Sequence, residues 1–130
     1  MHAKHANVQM LNDLSRQVIG CALTVLNTLG AGFLEKVYEN SLAHELREAG
    51  FSVAQQRGVR VEYKGILVGE YFVDLLVADM LLIELKAAKC LDEVHRLQCV
   101  NYLKATGLQL CLLLNFGRPR LEIKRVVHGL

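Results

Sequence analysis

The stretch from Tyr71 to Ala88 consists of two apolar runs around Asp79, and these runs contain three charged residues, Asp74, Glu84 and Lys86. A carboxylate buried without a partner strongly destabilises a fold. Two acids and a lysine placed together can instead serve chemistry on a phosphodiester. Carboxylates bind Mg²⁺, which polarises a phosphoryl oxygen and acidifies a bound water, and the lysine lies beside that water or beside the developing charge. The stretch therefore suggests metal-dependent phosphodiester hydrolysis, with a purely structural buried ion cluster as the alternative.

The E-x-K pattern is weak by itself, because the chain holds it three times. The copies are Glu62/Lys64, Glu84/Lys86 and Glu122/Lys124. Only the middle copy has an aspartate ten residues upstream, lies among apolar residues and precedes a helical segment. The other two are typical of exposed strand faces with alternating charge, so the middle copy is the candidate site.

A β-hairpin must bring the three charges together. If its turn consists of residues 78–80, Asp74 lies directly opposite Glu84, and directly paired residues share a face of the sheet. Glu84 and Lys86 also share a face, because side chains alternate along a strand. The two carboxylates would then lie ~5 Å apart and repel each other, and a cation would relieve that repulsion. A shift of one residue in register would separate them.

The rest of the sequence predicts the elements around this hairpin. Apolar spacing and glycine stops predict three helices, at about residues 8–29, 33–49 and 91–105. Alternating and apolar runs predict five strands, at about residues 58–63, 66–78, 81–87, 108–115 and 120–127, with a bend or bulge at Gly69. Residues 81–114 are long enough for a helical crossover between parallel strands. We expect an α/β fold, a mixed central β-sheet flanked by helices, in a single domain of residues 1–130.

The third predicted helix carries polar residues that could complete the site. His95, Gln98 and Tyr102 are three and four residues apart and so share one face. Gln98 could hold the lysine or a phosphate, although a glutamine at the border of a core is common. Glu35 lies in the first turn of the second predicted helix, where an acid also suits the helix dipole and so has a sufficient structural reason.

Composition excludes some functional classes. No apolar run reaches the ~18 residues of a membrane helix, and the first thirteen residues have no signal-peptide core, so we expect a cytoplasmic protein without a membrane segment. The net charge of +2 does not by itself indicate nucleic-acid binding. From Lys86 onward, however, eight Lys/Arg stand against three Asp/Glu, and this basic half could contact phosphates.

Several ordered segments resemble the GxxExxY protein family. They are GAGFLEKVYENSLAHELREAG, VEYKGILVGEYFVDLLVADMLLIELKAA, HRLQCVNYLKATGL and LLLNFG, and the family signature falls on Gly32, Glu35 and Tyr38. The resemblance covers about residues 15–127. Ala31 stands where members often have proline, and Leu26 where they often have histidine. The family is grouped with the PD-(D/E)xK phosphodiesterases, so the resemblance implies a restriction-endonuclease-like core and a nuclease that uses Mg²⁺ (or Mn²⁺) on DNA or RNA.

The resemblance also implies roles for particular residues. It implies metal ligands at Asp74, Glu84, the main-chain carbonyl of Leu85 and Glu35, catalytic roles for these acids with Lys86 and Gln98, and supporting roles for Tyr102 and Tyr38. The basic side chains expected to guide the nucleic-acid backbone are Lys89, Arg96, Lys104, Arg118 and Arg120. A homodimer is compatible with so small a nuclease core.

Two other functions remain open at this point. The same fold could serve as a catalytically inactive binding or scaffold module, which the small size and weak net charge favour. A small-molecule phosphodiesterase would differ in needing a closed pocket instead of an open basic groove.

Overall fold

The computed structural model of the protein describes residues 8–130 and has three helices and five strands. The helices are α1 (Val8–Leu29), α2 (Glu35–Glu48) and α3 (Glu93–Thr106), and the strands are β1 (Val53–Tyr63), β2 (Ile66–Val77), β3 (Leu81–Lys86), β4 (Leu110–Asn115) and β5 (Glu122–Val127). Residues 1–7 lie outside the described residues. They are the first half of the thirteen-residue segment that, from its sequence, has no signal-peptide core. None of the helices in the described part has the length and apolar character needed to cross a membrane.

All five strands form one mixed sheet, in which neighbours in sequence are neighbours in space. Strands β3 and β4 are parallel, and the other adjacent pairs are antiparallel. Helix α3 makes the connection between the two parallel strands. The α/β fold with a mixed central sheet flanked by helices, predicted from the sequence, is therefore confirmed.

Helices cover both faces of the sheet, which explains why β3 is almost entirely apolar. Leu81, Ile83 and Leu85 pack into one core with residues of α1 and α2. Leu82 packs into a second core, on the side of α3. A strand buried on both faces cannot alternate between apolar and polar residues, so its two charged side chains, Glu84 and Lys86, require a specific explanation.

The turn before α2 is fixed by one buried tyrosine. The Tyr38 hydroxyl donates to the carbonyl of Gly30 (2.6 Å) and accepts from the N–H of Phe33 (3.1 Å), and its ring stacks on Phe116. Gly32 in this turn has φ of 119°, a conformation that favours glycine. Because the chain is still turning at Phe33, α2 begins two residues later than the sequence predicts, at Glu35.

The β2–β3 hairpin has the predicted register. Its turn comprises residues 78–80, and the last backbone pair before the strands diverge is Leu75 with Ile83. A shift in the β1–β2 ladder leaves Val68 unpaired beside Gly69, so the predicted irregularity at this glycine is also present.

Other predicted boundaries were less accurate. Strand β1 begins at Val53, five residues earlier than predicted, because its polar first half pairs with the end of β2. Helix α3 begins at Glu93 because Asp92 caps it. Strands β4 and β5 each begin two residues later than predicted.

The loop that leaves β3 is held by the end of β4. The buried Asn115 side chain accepts from the N–H of Ala88 (2.9 Å) and donates to the carbonyl of Ala88 (2.9 Å). Gly117 lies so close to this loop that a Cβ atom there would come within 2.8 Å of the carbonyl carbon of Ala87, and closer still to the backbone of Ala88. These contacts with Asn115 and Gly117 fix the conformation of the loop that follows Glu84 and Lys86.

We expect Gly117→Ala to lower the free energy of unfolding by about 1–3 kcal/mol, because overpacking against backbone forces the chain to move. Gly20→Ala is the matched control, since a Cβ at Gly20 meets nothing within 4 Å. In the interior of helix α1 it should stabilise the protein by roughly 0.5–1 kcal/mol. Urea denaturation of both variants measures the difference, and an unchanged stability of Gly117→Ala would contradict the proposed close approach.

Candidate active site

Asp74 and Glu84 meet where the backbone ladder between β2 and β3 ends. The N–H of Asp74 donates to Glu84 Oε1 (3.2 Å), and the N–H of Leu85 donates to Asp74 Oδ2 (2.8 Å). Asp74 is also the neighbouring charge that acts most strongly on the Glu84 carboxyl. Asp74 and Glu84 thus continue the predicted register, but side-chain oxygens take the place of backbone partners at this point of the sheet.

The electrostatics of this pair favour an additional positive charge. Glu84 is 5 % exposed, and burial together with the neighbouring Asp74 raises the pKa of Glu84 to about 8. Burial is also the main cause of the raised pKa of Asp74, to which the charges of Glu39 and Glu35 contribute. At neutral pH the two carboxyls therefore retain a proton between them. A cation at this place would allow both to ionise.

Lys86 and Gln98 lie next to this pair. The ammonium of Lys86 is 3.8 Å from Glu84 Oε2, and it donates to Gln98 Oε1 at 3.4 Å. Glu84 and Lys86 come from alternate positions of β3, and Gln98 comes from helix α3. The structure thus brings together the four predicted residues Asp74, Glu84, Lys86 and Gln98.

Glu35 reaches the edge of the site without touching the acid pair. Its Oε2 accepts from the N–H of Ala87 at 3.3 Å, just beyond the end of β3. Its charge is close enough to raise the pKa of Asp74. Glu35 thus lies near the position predicted for it but is hydrogen-bonded to the main chain.

Two site residues were not predicted from the sequence, Glu39 and Gln56. Glu39 is 3 % exposed, pairs with Lys36 (2.9 Å) and accepts from Gln56 Nε2 (2.9 Å). The same nitrogen of Gln56 donates to Asp74 Oδ1 (3.1 Å). Glu39 could have been found, because it follows Glu35 by one helical turn and so shares its face. Gln56 carries no comparable signal.

The two predicted supporting tyrosines differ in position. Tyr102 is buried, with its ring 6.1 Å from that of Tyr71, and burial with the charge of Glu84 raises its pKa. Its hydroxyl therefore stays protonated and can donate. The hydroxyl of Tyr38 instead bonds the turn before α2.

His95, expected to share a polar face with Gln98 and Tyr102, serves another purpose. Its Nδ1 accepts from the N–H of Asp92, whose side chain accepts from the N–H of His95. This reciprocal pair caps α3 and gives a structural reason for a polar residue at this position.

The predicted basic residues are not equally available to a ligand. Arg96 donates to Glu93 (2.9 Å), and Arg118 lies 3.9 Å from Glu122. Within residues 8–130, the other three have no ion-pair partner; they are Lys89, Lys104 and Arg120. Lys89 lies in the loop after β3, whereas Lys104 is in the last turn of α3, beside Arg60 and Tyr71.

Of the other two E-x-K copies, expected on exposed strand faces, the first is exposed as predicted, whereas the glutamate of the second is partly buried and has a structural role. Glu62 and Lys64 are exposed at the tip of the β1–β2 hairpin. Glu122 accepts from the side chain of Asn115 (3.1 Å) and from the N–H of Leu91 (3.1 Å). Glu122 thus ties β5 to the loop before α3.

The donor atoms suit a hard cation but do not form a complete cage. Across residues 8–130, no three His, Cys, Asp or Glu side chains stand together as a ready metal cluster. The adjacent oxygens of Asp74 and Glu84 are nevertheless the ligand type that Mg²⁺ prefers, and Mg²⁺ uses one or two carboxylates and keeps several waters. The buried carboxyl of Glu84 and the partly buried carboxyl of Asp74, both with raised pKa values, fit such an ion.

Comparison with known proteins identifies the family. A family profile described as PD-(D/E)XK nuclease superfamily matches residues 12–126, nearly the whole chain. A search of curated proteins and a search of solved structures each gave no match. The mixed five-stranded sheet with three helices is consistent with the restriction-endonuclease-like fold of that superfamily. Because the matching profile covers nearly the whole sequence, the chain belongs to the PD-(D/E)XK nuclease superfamily.

Proposed function

We propose that this protein is a divalent-metal-dependent nuclease that hydrolyses phosphodiester bonds of DNA or RNA, acting as one domain of residues 1–130. The observation that carries the proposal is the meeting of Asp74 and Glu84 at the end of the β2–β3 ladder, where Glu84 Oε1 accepts from the N–H of Asp74 (3.2 Å) and Asp74 Oδ2 accepts from the N–H of Leu85 (2.8 Å). Two neighbouring acids, one buried and one partly buried, disfavour each other's ionisation, and a divalent ion would reverse this. Membership of a nuclease superfamily supports nucleic acid as the substrate.

Asp74 and Glu84 would hold Mg²⁺ or Mn²⁺, with the main-chain carbonyl of Leu85 as a third ligand. The N–H of Leu85 points at Asp74, and in a strand the N–H and C=O of one residue lie on the same side. Glu35 would join by exchanging its 3.3 Å bond to Ala87 for the ion or a bound water. The ion, when bound, would polarise the phosphoryl oxygen and lower the pKa of a water.

Lys86 is the residue placed to act on the attacking water or on the charge that develops at phosphorus. Its ammonium lies 3.8 Å from Glu84 Oε2. Gln98 holds it through Oε1. Tyr102, whose hydroxyl remains protonated, could donate to a phosphate oxygen. These three residues supply positioning and electrostatic stabilisation, which dominate phosphoryl transfer.

The basic residues would approach the nucleic-acid backbone. Lys89 and Arg120 lie in loops beyond the ends of the parallel strands and lack ion-pair partners within the described chain. Arg96 and Arg118 are already near acids and would have to share their charge with a phosphate. Lys104 lies at the other end of α3 and would contact a more distant part of the strand.

A non-catalytic binding module is the second candidate. The observation that favours it is that both acids already have hydrogen-bond partners: Glu84 accepts from Asp74, and Asp74 accepts from Leu85 and Gln56. A pair that shares a proton in this way is stable without an ion. Such a module would bind no divalent cation at this place.

Calorimetry and a cleavage assay separate these candidates. We expect the wild type to bind Mn²⁺ at pH 8, Glu84→Gln to bind none, and Glu62→Gln, an exposed E-x-K glutamate, to behave as the wild type. In parallel, supercoiled DNA, linear duplex, single-stranded DNA and RNA are incubated with Mg²⁺ or Mn²⁺, and at least one should be cleaved, with EDTA abolishing cleavage. Cleavage of none of them would overturn the nuclease proposal, and absence of Mn²⁺ binding as well would favour the binding module.

A further inference from the structure

Gln56 adopts a backbone conformation that is unusual inside a strand. Its φ of 54° is in the left-handed region, and the other non-glycine residues with positive φ, Lys64, Ala78 and Asp79, are all in turns. On either side of it the β1–β2 ladder is regular, with Gln55 opposite Leu75 and Arg57 opposite Val73. A strained residue in an otherwise regular strand persists only where the surrounding contacts hold it.

The contacts of its side chain account for this conformation. Nε2 of Gln56 donates one hydrogen to Asp74 Oδ1 (3.1 Å) and the other to Glu39 Oε1 (2.9 Å). The amide nitrogen therefore stands between two carboxylates that otherwise repel each other, and both of its hydrogens are used.

Glu39 is itself fixed, so it can orient the amide. Its other oxygen, Oε2, accepts from Gln55 Nε2 (2.9 Å), and Lys36 pairs with Oε1 (2.9 Å). Helix α2 thus reaches the acid pair indirectly, through Glu39 and Gln56. Because the Glu39 carboxylate is buried and held in place, the Gln56 amide that bonds it has one orientation. In this orientation the second amide hydrogen points toward Asp74.

The orientation of the Asp74 carboxylate depends on two hydrogen bonds. Leu85 holds Oδ2 at 2.8 Å, and Gln56 holds Oδ1 at 3.1 Å. With the bond to Leu85 alone, the carboxylate could rotate about it. The charges of Glu39 and Glu35, both of which act on Asp74, would favour rotation away from α2.

We propose that Gln56 is a positioning residue that, held by Glu39, fixes the carboxylate of Asp74 in the orientation that metal binding needs. The metal-binding part of this inference rests on the proposed function. The orienting part concerns the metal-free protein and can be tested alone.

Gln56→Gly is the decisive variant, because glycine adopts positive φ without strain and removes only the side chain. We expect it to fold, because the relief of backbone strain offsets part of the loss of the hydrogen bonds to Glu39 and Asp74. Three-bond couplings from the backbone N and C′ to Cγ of Asp74 report its side-chain rotamer in the metal-free protein. They should indicate one rotamer in the wild type and an average of several in Gln56→Gly. Mn²⁺ affinity, measured by calorimetry, should fall by tenfold or more.

Two further variants control the experiment. Asp79→Gly relieves a similar φ of 57° in the β2–β3 turn and should alter neither the couplings nor the affinity. Gln56→Asn suits the left-handed region but is one methylene too short, so it should behave as Gln56→Gly and carries the test if that variant does not fold. Unchanged couplings at Asp74 in both Gln56 variants would overturn the proposal. A wild type that shows one Asp74 rotamer, lost in Gln56→Gly, but binds no Mn²⁺ would support the orienting role and refute the proposed function.

Discussion

Replacing Lys86 by methionine is expected to lower metal-dependent cleavage of nucleic acid by roughly 10²- to 10³-fold, the usual effect of removing one group that stabilises developing charge. Methionine keeps most of the apolar stem of Lys86, whose side chain is 20 % exposed, and removes its charge 3.8 Å from Glu84. The fold should therefore persist. Initial rates on the best wild-type substrate, at saturating Mg²⁺ or Mn²⁺, give the ratio, and circular dichroism checks the fold.

The chain provides a matched control for this variant. Lys124→Met changes the lysine of another E-x-K copy, which is exposed on β5, and should keep wild-type activity. If Lys86→Met cleaves as fast as Lys124→Met, Lys86 has no part in the chemistry, and the proposed mechanism is wrong.

The metal-free protein is expected to lose stability as the pH rises from about 5 to 8. The pKa of Glu84 is raised from 4.5 to about 8 in the folded protein. At pH values below 4.5, the pKa of Glu84 in the unfolded chain, the folded and the unfolded protein both carry the proton on Glu84. The stabilising contribution of the neutral carboxyl is then complete. Between the two values the folded state keeps a proton that the unfolded state has lost, so the free energy of unfolding falls as the pH rises, by up to ~1.4 kcal/mol per unit. The total loss should be on the order of 3 kcal/mol. The raised pKa of Asp74 acts in the same direction.

Glu84→Gln should abolish most of this dependence, because glutamine remains neutral at every pH. At pH 8 without metal the variant should be more stable than the wild type, while Glu62→Gln should follow the wild type. Urea denaturation in EDTA at half-unit steps of pH measures all three proteins. Glu93 and Glu122, whose pKa values are lowered by bonds to Arg96 and Asn115, change charge below this window. A wild-type stability that is constant or rises between pH 5 and 8 would contradict the buried acid pair.

The central hairpin was the part of the fold that the sequence predicted best. The polar residues inside its apolar runs and the three-residue turn limited the register to one that gathers the charges, and that register is present. The residues of β2 and β3 next to the turn are apolar and buried, so the sequence pattern predicts the strands correctly there.

Sequence patterns failed where polar side chains make contacts between elements that are distant in sequence. Residues 53–57 were not predicted as part of a strand, because Gln55 and Gln56 interrupt the alternation. They nevertheless pair with β2, and these two glutamines bond Glu39. The positive φ of Gln56 depends on contacts with α2 and β2, which no short window of sequence contains. The pairing of Arg96 with Glu93, by contrast, was predictable from their spacing of three residues on a helix.

A divalent metal that binds at Asp74 and Glu84 would compete with a proton. The raised pKa keeps the Glu84 carboxyl protonated at neutral pH, so the metal would have to displace that proton. Loading would acidify the surrounding solution, and an acidic medium would unload the site. The acidity of the surroundings would thereby set the fraction of molecules ready to act.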